Sequence, residues 1–275
     1  MKEFWQRYSR NKGAIIGLVI LGFVVFLAVT APVLFPGDPF QNVAEPFQPP
    51  FGEYLFGTDI LGRDVAAGIA HGARTSLLIG LIATVIAVVV ATIIGGFAGY
   101  YGGWIDDVLM RVTEFFQTIP SFIFAIVLVA ILSPQIENIV FAIAAVTWPP
   151  ITRLVRGEFM AMRNREFVQA CVVLGMRDLA IIFREILPNT LSPIIVTGSL
   201  MVATAILIES ALAFLGLGDP NVMSWGFMIG AGRTFLRTAW WLCAIPGVAI
   251  LLTVLAINLV GEGLNDALNP RLRNR

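Results

Sequence analysis

Residues 158–193 read EFMAMRNREFVQACVVLGMRDLAIIFREILPNTLSP, a polar stretch between two long apolar runs. Arg163, Arg165, Arg177 and Arg184 lie in it, and Arg153 and Arg156 lie just before it. Positive charge concentrated in a short loop between membrane spans places that loop on the cytoplasmic side. The stretch is not simply solvated. Phe167, Val168, Cys171, Val172, Leu174, Leu179, Ile181, Ile182 and Phe183 recur at roughly helical spacing. The spacing predicts a short helix over 165–174, ended by Gly175, which readily takes the left-handed conformation of a helix C-terminus. A second helix is predicted over 179–187, with Asp178 as its N-cap and Pro188 as its end. The expected shape is helix, glycine elbow, helix, lying across the membrane surface. Two readings fit it equally: an amphipathic linker resting on lipid headgroups, or a surface that docks onto a partner.

The rest of the chain sets this loop in a polytopic membrane protein. Of 275 residues, 57% are hydrophobic and 13% charged, with a mean hydropathy of +0.85. A soluble domain carries about a quarter of charged residues. Apolar runs predict six spans, near 13–34, 76–100, 108–133, 138–155, 191–214 and 239–261. Pro120 should kink the third or mark where it enters the membrane, and Pro149-Pro150 should interrupt the fourth. Gly95, Gly96 and Gly99 offer small surfaces for close helix contact, a simpler reading than a hinge. With both termini inside, fourteen of the 18 Lys and Arg residues fall on the cytoplasmic side and four outside, as the positive-inside rule requires. The organisation read from this is 1–35 (N-terminal segment and first helix), 36–75 (extracytoplasmic loop), 76–262 (five-helix core with the loop at about 156–190) and 263–275 (cytoplasmic tail).

Several chemistries are excluded. Lys2 and Lys12 are the only lysines, and no phosphate-binding loop G-x-x-x-x-G-K-[ST] exists. His71 is the only histidine, so neither a two-histidine metal site nor a zinc protease motif is available. No basic tail suggests nucleic acid. Cys171 and Cys243 read as small buried hydrophobes.

The loop resembles that of ABC-importer permeases, whose pattern is E-A-A-x-x-x-G-x9-I-x-L-P. Here it reads Gln169-Ala170-Cys171, three residues, Gly175, nine residues beginning Met176-Arg177-Asp178, then Glu185 and, after one residue, Leu187-Pro188. Gln169, Cys171 and Glu185 depart from the pattern; Ala170, Gly175 and Leu187-Pro188 keep it. FGTDILGRDV at 56–65 and GARTSL at 72–77 resemble the outer segment of dipeptide/oligopeptide/nickel permeases. LAFLGLG at 212–218 with Ser224-Trp225-Gly226, and NLVGEGLNDALNPRL at 258–272, are similar to later segments of the same family. The order and spacing over nearly the whole chain resemble its C-type permease, an all-α subunit with one span before a five-span core.

That resemblance implies a non-catalytic subunit in a prokaryotic cytoplasmic membrane. It implies a heterodimer with a second homologous permease, two cytosolic ATPases that bind ATP and Mg, and an extracytoplasmic binding protein. The loop becomes the ATPase-coupling helix. Di- or oligopeptides are the leading cargo; nickel complexes and glutathione are carried by relatives. This chain itself is expected to hold no cofactor and no metal.

Two further groups carry functional readings. Glu209 is the most isolated acid in a predicted span. A carboxylate there is costly, so it faces either the translocation path or an outer turn, with a bond to backbone or Ser210; the second is preferred. Gly57, Thr58, Asp59, Gly62, Arg63 and Asp64 form an outer-loop motif, in which Asp59 and Asp64 pair with Arg63 or Arg74 and order the loop, or contact the binding protein. A proton-coupled secondary transporter using Glu209 would need more titratable groups in its spans. An intramembrane enzyme would have to rely on His71 alone.

Overall fold

In a computed structural model, residues 2–268 are described. They form α1 (Lys2–Tyr8), α2 (Lys12–Leu34), α3 (Val65–Tyr101), α4 (Gly103–Gln117), α5 (Ser121–Leu132), α6 (Ile136–Arg163) and α7 (Glu166–Val173). They continue with α8 (Asp178–Leu217), α9 (Trp225–Gly232) and α10 (Trp241–Leu268). Five helices (α2, α3, α6, α8, α10) are long and apolar enough to cross a membrane, and the bent pair α4–α5 makes up to six.

The first span forms where expected. Asn11 caps α2 by accepting from the Ala14 N–H at 3.1 Å, and its amide donates to Asp266 at 2.9 Å, tying α2 to the end of α10. Residues 36–64 hold no helix, and α3 starts at Val65. The last eleven residues of the stretch assigned to the outer loop, 65–75, are thus helical. The segment read as a tail from residue 263 begins as the last turns of α10; its remainder, 269–275, with Arg271, Arg273 and Arg275, lies outside the described residues.

Of three proline expectations, one holds and two need correction. The third span is two helices bent by 80° at the break before Ser121. Pro120 marks this break, because it lacks an N–H and its φ is fixed. The twelve residues of α5 are too few to span a core of about 30 Å alone. By contrast, α6 runs unbroken through Pro149 and Pro150. On either side, the Thr147 and Thr152 hydroxyls donate to the Ile143 and Trp148 carbonyls at 2.8 and 3.0 Å, while the carbonyls the two rings leave without a donor are those of Ala145 and Val146. Nor does Pro188 end a helix. It lies inside α8, directly after a π-type stretch, Ile181–Ile186. The shifted bonding there, with the Leu187 N–H on the Ile182 carbonyl, makes room for a ring that would clash with an α-helical ladder.

The core is split among neighbouring helix faces. One cluster, around Trp225, Trp241 and Ile206, joins α2, α3, α8 and α10. A second, around Trp148, Phe159, Ile182 and Val168, joins α3, α6, α7 and the start of α8. α3 and α6 form the closest pair. A Cβ on Gly95 would sit 2.5 Å from the Thr152 carbonyl oxygen, and one on Gly99 2.6 Å from that of Arg156. These glycines serve close packing, which leaves no slack for a hinge.

Candidate functional site

The arginine-rich segment folds into the elbow, with one change of geometry. Arg165 caps α7, and Leu174 closes it. Gly175 has φ +74°. Its N–H donates to the Val172 carbonyl at 3.0 Å, and the Met176 N–H donates to that of Cys171 at 3.1 Å. This is the paired bonding of a Schellman turn, with Met176 and Cys171 both packed against the second core cluster. The second leg is not a separate surface helix over 179–187. Arg177 is the N-cap, Asp178 opens the first turn instead of capping it, and the leg runs straight on as the span α8. Leu187 is partly buried against the same cluster, and Pro188 is exposed.

The elbow has a dry inner side and an apolar outer tip. Val168, Ile181, Ile182 and Ile186 are buried. Val173 and Leu174 are 87% and 80% exposed, with Val172 and Leu179 beside them also exposed. Apolar side chains gathered at the tip of a polar loop mark an interaction surface. Around Gly175 there is open space: among the described residues, no atom beyond the glycine and its two chain neighbours lies within 4 Å of where a Cβ would stand. Gln169, on the flank of α7, donates to the Arg163 carbonyl at 3.0 Å, and Ala170 accepts the Leu174 N–H at 3.0 Å.

Braces fix the elbow to the spans. The Tyr100 hydroxyl, at the end of α3, donates to the Asp178 carboxylate at 2.9 Å. Arg163, at the end of α6, donates to the Tyr101 carbonyl at 3.3 Å. Arg156 grips Asp106 of α4 through two hydrogen bonds of 2.5 and 2.6 Å, a bidentate geometry that holds α4 against α6. Beside this pair, Asp107, Arg111, Glu114 and Arg153 line a charged groove of about 630 Å³. None of the braces is visible as a motif, because their partners are separated by 50 to 78 residues.

At the opposite end of the spans, Glu209 is 2% exposed. It accepts from the Ser224 hydroxyl at 2.7 Å and the Ser210 hydroxyl at 3.3 Å. The Ser224 oxygen in turn accepts the Phe227 N–H at 3.0 Å and so caps α9. The Trp225 indole donates to the Ile69 carbonyl at 3.0 Å, and its backbone N–H donates to Ser76 at 3.2 Å. Glu209 therefore fastens α9 to α8, and Trp225 fastens α9 to α3. Ser210 was expected as a partner. Ser224, fifteen residues away across the turn, was not.

The outer-loop motif is largely occupied with itself. Gly57 and Gly62 have φ +76° and +75°. Buried Thr58 donates to the Glu45 carbonyl at 2.7 Å and accepts the Gln48 N–H at 2.9 Å. Asp59 accepts the Leu61 and Arg63 N–H groups at 2.8 and 2.9 Å and lies 3.9 Å from the Arg63 side chain. Asp64 caps α3 through the Ala66 N–H at 2.9 Å and, among the described residues, takes no arginine partner. Burial pushes the Asp64 carboxyl up from its usual range, while the Ala66 and Ala67 N–H groups pull it back down. The Trp241 indole donates to the Thr58 carbonyl at 3.2 Å, seating the loop on α10.

Comparison with known proteins matches this architecture. A family described as the binding-protein-dependent transport system inner membrane component covers residues 91–274. The N-terminal TM domain of oligopeptide transport permease C covers residues 1–50. The di/tripeptide transport system permease protein DppC of Pseudomonas aeruginosa is 42% identical, over 100% of this chain and 93% of its own. The dipeptide transport system permease protein DppC of Escherichia coli K12 is 44% identical over 99% and 94%, and that of Alkalihalophilus pseudofirmus 42% over 99% and 90%. With its multi-pass architecture and a family match across two thirds of its length, the chain belongs to the inner membrane components of binding-protein-dependent transport systems.

Proposed function

We propose that this chain is one of two homologous permease subunits of an ATP-driven importer of dipeptides and short oligopeptides. The observation that carries the reading is the elbow: an apolar tip at Val173 and Leu174 on a turn braced from behind by α3 and α6. Such a tip suits a groove on a cytosolic ATPase. Full-length similarity to relatives named for di- and tripeptide transport supports the cargo. In this reading the elbow and both termini face the cytoplasm, and the long loop faces outward to an extracytoplasmic binding protein. ATP and Mg sit on the two partner ATPases.

The elbow residues then have distinct tasks. Gln169, Ala170 and Cys171 form the docking helix, Gly175 and Met176 set the turn, and Arg177 and Asp178 start the span. Leu187 and Pro188 lie where α8 leaves its π-type stretch. When ATP draws the ATPases together, each carries its elbow, and the attached spans rock as rigid bodies to open the path on alternate sides. ATP drives this only by binding the two arrangements with different affinity. The test is reconstitution. The lone chain should neither bind nor hydrolyse ATP, and the complete complex should show ATPase activity raised by peptide-loaded binding protein. Hydrolysis by the isolated chain, or a complete complex indifferent to the loaded protein, would overturn the proposal.

A further inference from the structure

The groove between α4 and α6 carries more charge than its own pairs use. Asp106 and Arg156 satisfy each other. Asp107, Arg111, Glu114 and Arg153 remain on the walls, with the uncharged Met110 among them. All four charged side chains are exposed, and the groove measures about 630 Å³, within the range of small-molecule sites. Opposite charges three or four residues apart on a helix usually meet. Yet neither Asp107 with Arg111 nor Arg111 with Glu114 closes as an ion pair, and Arg153 has no ion pair or hydrogen bond among the described residues.

The groove also reaches membrane depth. Phe116, next but one to Glu114, packs its ring edge-on against Trp148 at 5.3 Å, and Trp148 is buried in the second core cluster. From Ile136 to Arg153, α6 rises about 26 Å, short of a hydrocarbon thickness of about 30 Å. Unpaired charges at that depth are costly against lipid and mark a water-filled path. Positions 106, 110, 114 and 117 form one stripe along α4. At its far end the Gln117 side-chain oxygen is buried with no donor among the described residues.

The residual charges match a zwitterion. Along α4, Asp107 and Arg111 are separated by about 6 Å of rise, and Asp107 and Glu114 by about 10 Å. The ammonium and carboxylate of an extended di- or tripeptide lie about 7–10 Å apart. Paired guanidiniums suit a carboxylate, and the carboxylates beside them suit an ammonium. A solute with one sign of charge would leave half of the set unmatched.

We infer that this groove is the cytoplasmic half of the translocation path and a transient site for the peptide zwitterion, with Arg111 and Arg153 taking its carboxylate and Asp107 and Glu114 its ammonium. The inference rests on the importer reading above and adds where the cargo passes.

The test uses the complete transporter in nanodiscs, without ATP. Met110→Cys places a thiol on the groove wall and leaves its charges in place. Reaction with a water-borne methanethiosulfonate is followed at position 110 by mass spectrometry, and a water-filled groove makes that position reactive. A path must release what it holds. The Kd for peptide is therefore expected at about 1 mM, so that dialanine at about 10 mM should slow the reaction roughly tenfold. Its C-terminal amide and its N-acetyl form each lose one charge-assisted contact, worth about tenfold in affinity, and should slow it only about twofold at the same concentration. Arg111→Gln combined with Arg153→Gln should bring dialanine down to the level of the amide. If that variant fails to assemble, the peptide series alone decides. No reaction at position 110, no protection by dialanine, or equal protection by all three peptides would each overturn the inference. Uptake of dialanine into vesicles carrying the same complex is measured beside it. Uptake without protection removes the groove from the path; no uptake with loaded binding protein and ATP removes the assigned cargo and this site together.

Discussion

Tyr100→Phe removes one oxygen and little else. The ring stays buried and keeps its edge-on contact with Tyr101, at 5.1 Å and 84°. What goes is the 2.9 Å hydrogen bond to Asp178, the direct polar brace between the end of α3 and the first turn of α8. A hydrogen bond to a charged group contributes about 1.5–3 kcal/mol. Asp178 is solvent-exposed, so the lower end applies, and the brace is worth about 1.5 kcal/mol, or roughly tenfold in an equilibrium. If the elbow transmits ATPase movement to α3 through this brace, the substitution should leave complex yield and basal ATPase rate unchanged. The increment produced by loaded binding protein, and peptide uptake, should fall by up to about tenfold. Asp178→Asn, which keeps an acceptor but loses the charge, should fall between. The assay is ATPase activity of the reconstituted complex with and without loaded binding protein, beside uptake into the same vesicles. Full stimulation and uptake in Tyr100→Phe would show that the brace carries no load and that the buried apolar side of the elbow suffices.

Other substitutions probe the remaining joints. Gly175→Glu strains a φ of +74° by on the order of 1 kcal/mol; since no described residue beyond its neighbours crowds the site, it should leave the chain inserted and paired but weaken ATPase co-purification and abolish uptake, with Gly175→Ala milder. Full ATPase retention with normal uptake would remove the elbow from the docking contact. Glu209→Ala leaves the Ser224 hydroxyl without its acceptor and should lower thermal stability of the complex by about 1–3 kcal/mol; a pure transport defect with unchanged stability would place Glu209 on the path. Gly95→Val should sharply reduce yield, because its Cβ meets the Thr152 carbonyl at 2.5 Å; normal yield would mean that α3 and α6 can part. Tags at residue 1 and within 160–180 should report the cytoplasm, and tags near 45 and 222 the outside. A cytoplasmic report from 45 would refute the orientation.

What the sequence made legible was whatever a short window contains. Hydropathy located the spans, and a single glycine after a helical pattern located the elbow. The prolines misled, because their usual reading assumes a helix end that water will satisfy. Pro149 and Pro150 sit in a helix that runs on packed closely against α3, and Pro188 follows a π-type stretch that absorbs the disruption. Pro120 alone marks a break, and no local pattern encodes the 80° turn that follows. The braces were illegible for a different reason. Asp106 belongs to no motif and Arg156 counted only toward the positive charge of the loop, and only the close packing of α3 and α6, with α4 folded beside them, puts the two together. Ser224 was hidden in the same way, since a capping serine in a loop gives no sign that a buried carboxylate waits across the turn.

The continuity of α8 has a mechanical consequence. From Asp178 in its first turn to Glu209, before the kink at Gly216, the helix extends about 47 Å at roughly 1.5 Å per residue. In the proposed reading, one helix therefore joins the ATPase-facing turn to the clasp that holds α9, with the π-type stretch Ile181–Ile186 as the irregularity in series between them. A tilt of about 5° at one end moves the other by about 4 Å over such a length. The rod also fixes phase as well as distance. One inserted residue in the middle would rotate its halves by about 100° relative to each other, so that a seated elbow would aim Glu209 away from Ser224. The spacing between the two ends is thus as much a part of the machine as the residues that occupy them.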